Sequence, residues 1–354
     1  MTQDSCQKIS TGYVPLVKTT RWFHDRDIPS SLRSTVDAIH FGAVAVVNKY
    51  GKLLYSAGDP SVTVFPRSAS KVFQAIPFVE SNGARFTGFG SDALALMCAS
   101  HNAEKIHIDL VQKMVEQSGI DVKQLRCGCQ IPNYYSWNGV PAPSGLVSTQ
   151  LDNTCSGKHV GFLAWCRIHD ISADGYLDYG HPLQREVRLA LSQSCEFDVD
   201  RAPVSIDNCS APNYAMPLRQ LALGYAKLSD NNRQGNDTLA TLRDAIVLHP
   251  YLGSGTGRND FDFMLAAAGN WISKIGAGSI QAIGIRSEEI GIAVKIADGN
   301  RMTQMVAALE VVYQLGLLNN EAEQKLMKWR RRMIANHAGI EVAEMTAAFR
   351  LIQH

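Results

Sequence analysis

Strand-like segments lie near both ends of the chain, and this restricts the fold more than any other feature. Phe41 to Val47 is apolar and β-branched, Lys49-Tyr50-Gly51 supplies a turn, and Lys52 to Ser56 reads as the returning strand. Far downstream, Ser279 to Ile285 and Ile290 to Ile296 flank Ser287-Glu288-Glu289 in the same manner. Strands at both ends with helices between them predict one antiparallel sheet built from both termini, with the helical segment inserted. The expected class is α/β (α+β), in a single two-lobed unit. A mixed lobe takes about 1–66 and 270–354, and a mostly helical lobe about 67–269.

The helical readings rest on spacing. From Pro66 onward, Val72, Ile76 and Val79 share a face and Gly83 offers a stop. Asp92 to Met97 reads as a short apolar helix. Ala103 to Ser118 directs Leu110, Val111, Met114 and Val115 inward, with Asn102 as cap and Gly119 as C′ residue. Met302, Met305, Val306, Leu309 and Val312 recur at helical spacing up to Gly316. There is no 20–50-residue repeat and no long linker.

Charge narrows the partners. Lys and Arg number 34 against 33 Asp and Glu, a net charge of +1, which gives no electrostatic case for nucleic acid or an anionic membrane. The basic run Lys325-Leu326-Met327-Lys328-Trp329-Arg330-Arg331-Arg332 reads as a solvated helix face. No apolar run approaches the roughly 18 residues of a membrane helix, and Met1 to Ser10 is polar without an apolar signal region. A cytoplasmic location is expected. Eight cysteines without an export signal point to reduced thiols, metal ligands or catalytic groups rather than disulfides.

Three segments carry candidate chemistry. Ser68-Ala69-Ser70-Lys71 puts Ser68 and Lys71 on one face at a helix start, where a neutralised amine can take the hydroxyl proton. The helix N-terminus adds free N–H groups for an oxyanion. Cys98-Ala99-Ser100-His101-Asn102 brings a second serine, and Lys274-Ile275-Gly276-Ala277 a second lysine at a strand start. This order resembles the active-site elements of serine β-lactamases and penicillin-binding proteins.

A thiol constellation accompanies them. Asn153-Thr154-Cys155-Ser156-Gly157-Lys158-His159 and Asp207-Asn208-Cys209-Ser210-Ala211-Pro212 are polar, turn-rich and Cys-bearing. Two thiolates with a neutral amine or imidazole make a soft three-ligand zinc site; buried structural cysteines or a redox pair are the competing readings. Cys127-Gly128-Cys129 is too closely spaced for the usual zinc knuckle.

Taken together, the segments resemble the L-asparaginase II family, the rhizobial-type (class 3) L-asparaginases. The matching segments include Arg67-Ser68-Ala69-Ser70-Lys71, Cys98-Ala99-Ser100-His101-Asn102, Cys155-Ser156-Gly157-Lys158-His159, Cys209-Ser210-Ala211-Pro212, Gly255-Thr256-Gly257-Arg258 and Lys274-Ile275-Gly276-Ala277. The resemblance implies a serine β-lactamase/glutaminase-like fold, hydrolysis of L-asparagine to aspartate and ammonia, and a homodimer. It implies two catalytic pairs, Ser68–Lys71 and Ser100–Lys274, with His101, Asn102, Asp207, Arg258 and Ala277 around the substrate. It also implies Zn held by Cys155, Lys158 and Cys209, with His159 nearby. The chain departs from the family at Val72 (usually Pro), Gln130 (usually His), Asn208 (usually Gly) and Gly278 (usually acidic).

The mechanism expected is acyl transfer: Ser68 attacks, backbone N–H groups of Ser68 and Ala277 hold the oxyanion, and Ser100 with Lys274 relays a proton. The two serines could exchange roles. Alternatives are a glutaminase or β-lactamase-like hydrolase, and a metal or thiol sensor on the same scaffold.

Overall fold

The structure, a computed structural model, describes residues 12–23, 27, 29–235 and 237–354. The Met1–Ser10 segment therefore lies outside the described residues.

A nine-stranded sheet organises the molecule. Its strands are Val14–Trp22 (β1), Ser34–Asn48 (β2), Leu53–Ala57 (β3), Trp271–Gly276 (β4), Ile280–Ile285 (β5), Ile290–Ile296 (β6), Arg332–Ala335 (β7), Glu341–Ala347 (β8) and Ile352–Gln353 (β9). The main order is β7-β8-β1-β2-β6-β5-β4, with β3 pairing β2 and carrying β9; the paired strands are antiparallel. Joining of the two ends happens at β2 and β6, where Ala45 faces Ala293 and Val46 faces Ile292. This is the mixed α/β class that the strand pattern predicts. β2 is longer than expected: it begins at Ser34 because its first half pairs with β1.

Alternation along β2 and β6 sorts two cores. Val44, Val46, Ile292 and Val294 face one way, Ala43, Ala45 and Ala293 the other. The helices that matter here are Lys71–Gln74 (α1), Ser91–Met97 (α2), Lys105–Ser118 (α3), Ser156–Ile168 (α4), Leu218–Leu228 (α5), Asn259–Ala266 (α6), Thr303–Gln314 (α7) and Asn320–Arg330 (α8). The large-residue face packs against α7 through Met305, Val306, Leu309 and Val312. On the small-residue face α5 lies directly on the strands, because a Cβ at Gly291 would overlap the Ala222 carbonyl oxygen. α1, α2, α3 and α4 lie on that side and share its core, whereas α8 packs with α7 on the large-residue face through Leu326 and Trp329.

Several local expectations change. The helix expected from Pro66 is broken into a 3₁₀ turn Arg67–Ser70, α1 and Ile76–Glu80, since Pro77 interrupts the hydrogen-bond ladder. Gly83 opens a further short helix instead of ending one. α3 starts at Lys105 with Glu104 as cap, in a reciprocal capping box with His107; Asn102 is drawn inward, and Ala103 takes a left-handed φ of 59°. Gly119 ends that helix with φ 63°, as the sequence predicts. The basic C-terminal run is laced with ion pairs: Lys325 to Glu321, Lys328 to Asp262, Arg330 to Glu310 and Glu323. No helix among the described residues is long and apolar enough to cross a membrane.

Candidate active site

A cavity of about 670 Å³ opens where the Arg67–Ser70 turn, the end of β4 and three cysteine-bearing segments, 127–130, 153–155 and 207–210, meet. Ser68, Ser100, Cys155, Cys209, Arg258 and Ala277 are among its lining residues. Gly276 allows this meeting: a Cβ there would strike the Pro66 carbonyl oxygen, so β4 can lie against the serine turn only with glycine at that position. Ala277 follows at the cavity wall.

The two serines differ in their surroundings. Ser68 is half-buried at the start of its turn, and its hydroxyl has no hydrogen-bond partner among the described residues. Ser100 is buried, and two lysines converge on it: Lys71 Nζ donates to its Oγ at 3.1 Å and Lys274 Nζ at 2.8 Å. Lys71 also donates to the carbonyl oxygens of Ala99 (2.5 Å) and Thr154 (3.4 Å). Despite the i, i+3 spacing, Lys71 is hydrogen-bonded to Ser100 and not to Ser68.

Lys274 has the environment of a base. Burial pushes its ammonium down to about 7; Asp260 opposes the shift, while Lys71 and Arg258 add to it. Asp260 lies 3.9 Å away and is fixed in place, accepting from the Ile275 N–H (2.9 Å), the Ser273 hydroxyl (2.9 Å) and the Gln281 amide (3.1 Å). Asp260 did not stand out in the sequence, where it is one acidic residue in a helix first turn.

The thiols meet as well. Cys209 sits in the turn of a small hairpin, Val204–Ile206 with Pro212–Tyr214. Lys158 Nζ, from the first turn of α4, donates to Cys209 Sγ at 3.1 Å. The neighbouring Cys155 thiol drives the Cys209 thiol far below its usual range against the cost of burial, and Lys158 adds to this. Cys155 is raised correspondingly, by Cys209 and then by burial. Burial alone would lower the Lys158 ammonium, but Cys209, Cys155 and Asp207 reverse this and raise it. His159 holds the Tyr176 hydroxyl through Nδ1 at 2.7 Å, while its buried Nε2 has no hydrogen-bond partner.

This donor chemistry fits a soft divalent ion such as zinc: two sulfurs and an amine converge, with an unpartnered imidazole nitrogen at hand. Among the described residues no three or more His, Cys, Asp or Glu side chains are arranged to hold a metal, so the fit depends on the Lys158 amine.

The structure places His101 and Asn102 behind the cavity wall. His101 accepts the Ala103 N–H at Nδ1 (3.1 Å) and so donates from Nε2 to Ser156 Oγ (2.9 Å). Burial and the nearby His107 hold it neutral, well below the usual imidazole range. Asn102 donates to the Thr256 carbonyl oxygen (2.8 Å) and accepts from Arg258 Nη1 (3.0 Å). Arg258 itself borders the cavity, buried, and its Nη1 also donates to the Ser100 carbonyl oxygen at 3.1 Å.

Asp207 accepts from Arg67 Nε at 2.6 Å, and Arg67 Nη2 donates to Asn208 Oδ1 at 2.8 Å. Arg67 is thus a site residue that sequence reasoning passed over, although it directly precedes the candidate nucleophile. Arg301 and Trp137 also line the cavity and were equally unmarked.

The sequence model of the family described as L-asparaginase II matches residues 31–347 of this chain. No curated protein matches. Among solved structures, the chain is similar to one described as Mglu in its native form (13% identity, 79% of this chain and 65% of that one, TM-score 0.38). It is also similar to a putative beta-lactamase from Bacteroides dorei DSM 17855 (14% identity, 77% and 93%, TM-score 0.39) and to a Bacillus glutaminase (14% identity, 78% and 91%, TM-score 0.34). The chain spans just under two thirds of the length of that Mglu structure. Likeness at these scores carries no argument about chemistry.

Proposed function

The chain belongs to the L-asparaginase II family, and from that premise we propose that it is an amidohydrolase that converts L-asparagine to L-aspartate and ammonia. The observation that supports this most is the Ser100 hydroxyl held between Lys71 and Lys274 at the wall of a cavity that Ser68 also lines.

In this reading Ser68 is the nucleophile. Lys71, with three acceptors around it, must first lose a proton: it passes one to Ser100 as the Ser100 hydroxyl passes its own to neutral Lys274. The Lys71 amine then takes the Ser68 proton as Oγ attacks the side-chain amide carbon. The N–H groups of Ser68 and Ala277 hold the oxyanion, Ser68 because the first residues of a helical turn have free donors. The C–N bond breaks as the lysine network protonates the nitrogen, ammonia leaves, and water hydrolyses the ester to aspartate. Asp207 brings a negative charge to the ammonium of the substrate, and buried Arg258 adds positive field to the cavity wall. His101 and Asn102 act as supports, holding Ser156 and Arg258.

A second assignment is favoured by one observation: Lys274, lowered to about 7, is 2.8 Å from the Ser100 hydroxyl and could activate it as the nucleophile directly. A diazoketone analogue of asparagine, followed by mass spectrometry of the labelled peptide, separates the two.

Cys155, Lys158 and Cys209 would hold a zinc ion. Bound there, it would supply a Lewis acid to orient polar groups of the substrate. The same reading makes the molecule a homodimer in the cytoplasm, and sedimentation measures its assembly. Ammonia release from L-asparagine, L-glutamine and a penicillin, with and without chelator, tests the proposal. Turnover of asparagine above the other two is expected; no release from asparagine overturns it.

A further inference from the structure

Three arginines line the cavity, Arg67, Arg258 and Arg301, against one carboxylate, Asp207. They are not equivalent. Arg67 is paired with Asp207 at 2.6 Å. Arg258 is buried, and its Nη1 is committed to the Ser100 carbonyl oxygen and Asn102 Oδ1. Arg301 is exposed to the cavity mouth, makes no ion pair among the described residues, and holds only the Ser136 carbonyl oxygen, at 3.3 Å.

Trp137 joins the last two. The Arg258 guanidinium carbon lies 4.4 Å from its ring centroid and that of Arg301 4.7 Å. Stacking on an indole restrains a guanidinium without using its N–H groups, so the Arg301 fork is ordered before any ligand arrives. Such a fork matches a carboxylate in two parallel hydrogen bonds. Arg258, stacked on the same ring, adds field from a fixed position.

We propose that Arg301 receives the α-carboxylate of the amino-acid substrate, and so selects free amino-acid amides over carboxyl-blocked ones. This rests on the amidohydrolase reading for its substrate class, and on the cavity wall alone for its chemistry.

The test pairs ligand and side chain. Binding of L-aspartate and of its α-amide, L-isoasparagine, is measured by calorimetry on wild type, Arg301→Gln and Arg301→Lys. Hydrolysis of L-asparagine and of L-asparagine amide is followed in parallel. Wild type should prefer the free carboxylate by about 10- to 100-fold, the scale of a charge-assisted pair. Arg301→Gln should erase the preference, with the loss in KM for asparagine and little change towards the amide; Arg301→Lys should keep part of it. Arg301 is exposed, so unfolding is not expected, and thermal melting checks it. A wild type that does not discriminate, or an Arg301→Gln that still does, overturns the assignment. Discrimination in binding without ammonia release would leave Arg301 as a carboxylate receptor and refute the amidohydrolase reading instead.

Discussion

Arg67 Nε donates to Asp207 Oδ1 at 2.6 Å, and this bond ties the turn that presents Ser68 to the hairpin that presents Cys209. Arg67 also holds a left-handed φ of 52°, a conformation that costs on the order of 1–3 kcal/mol for a non-glycine residue. The pair links the serine chemistry to the sulfur cluster through one contact. Asp207→Asn and Arg67→Lys should each lower kcat/KM for asparagine about tenfold or more. The double variant should lose less than the product of the two, because the residues share one interaction. Multiplicative losses in steady-state kinetics would show the two acting separately.

The pH profile should report Lys274. Its ammonium is lowered to about 7, and the base form is the deprotonated amine, so activity belongs to the high-pH side. The groups acting on Lys274 are Asp260, Lys71, Arg258 and Cys155. kcat/KM should fall about tenfold per pH unit below that value and level off above it. Asp260→Asn removes the one carboxylate that opposes the shift, so the acid limb should move to lower pH. A limb that stays in place would dissociate it from Lys274.

Ser68→Ala should cost at least about 10³-fold in asparagine turnover, the scale of nucleophile loss. Ser100→Ala and Lys274→Ala should cost little more together than either alone, since both serve one proton path. Ser68→Ala within tenfold of wild type, measured as ammonia release, would move the nucleophile to Ser100.

If zinc occupies the sulfur cluster, elemental analysis should find about one ion per chain. Cys209→Ser should remove most of it, because a neutral hydroxyl is a poor soft-metal ligand. Occupancy should also fall as pH drops, since protons compete for the sulfurs and for the Lys158 amine. Full activity of zinc-free protein in chelator would leave Cys155 and Cys209 as core thiols.

Gly291→Val tests the sheet itself. The new side chain meets the Ala222 carbonyl oxygen of α5, which cannot move without lifting the helix off β6. Urea unfolding should show a loss of about 1–3 kcal/mol or more. A neutral result would mean that α5 does not seat on this strand as described.

Much of the scaffold was legible in the chain. Ile290 to Ile296 is an observed strand to the residue, and Ile280 to Ile285 falls one residue short of its expected start, because short segments rich in β-branched residues, such as Ile290, Ile292, Val294 and Ile296 in alternation, leave little alternative. The helix ahead of Gly316 and the inward set Leu110, Val111, Met114 and Val115 follow from spacing in the same way. Pro66 to Gly83 was harder to read, since its apolar face is periodic while Pro77 breaks the backbone beneath it.

Within the site, the chain alone determined which chemical groups exist and which neighbours share a turn: Ser68 near Lys71, Cys155 near Lys158. The tertiary structure decided which partners they take. Lys71 has a long flexible stem, so its i, i+3 relation to Ser68 permits contact without requiring it, and buried acceptors at Ala99 and Ser100 draw it instead. Lys274 reaches Ser100 because β4 lies in register beside β5, and Arg67 reaches Asp207 across 140 positions of chain. Local spacing restricts directions, but hydrogen-bond satisfaction in a buried interior is a global condition, and only the folded packing resolves it.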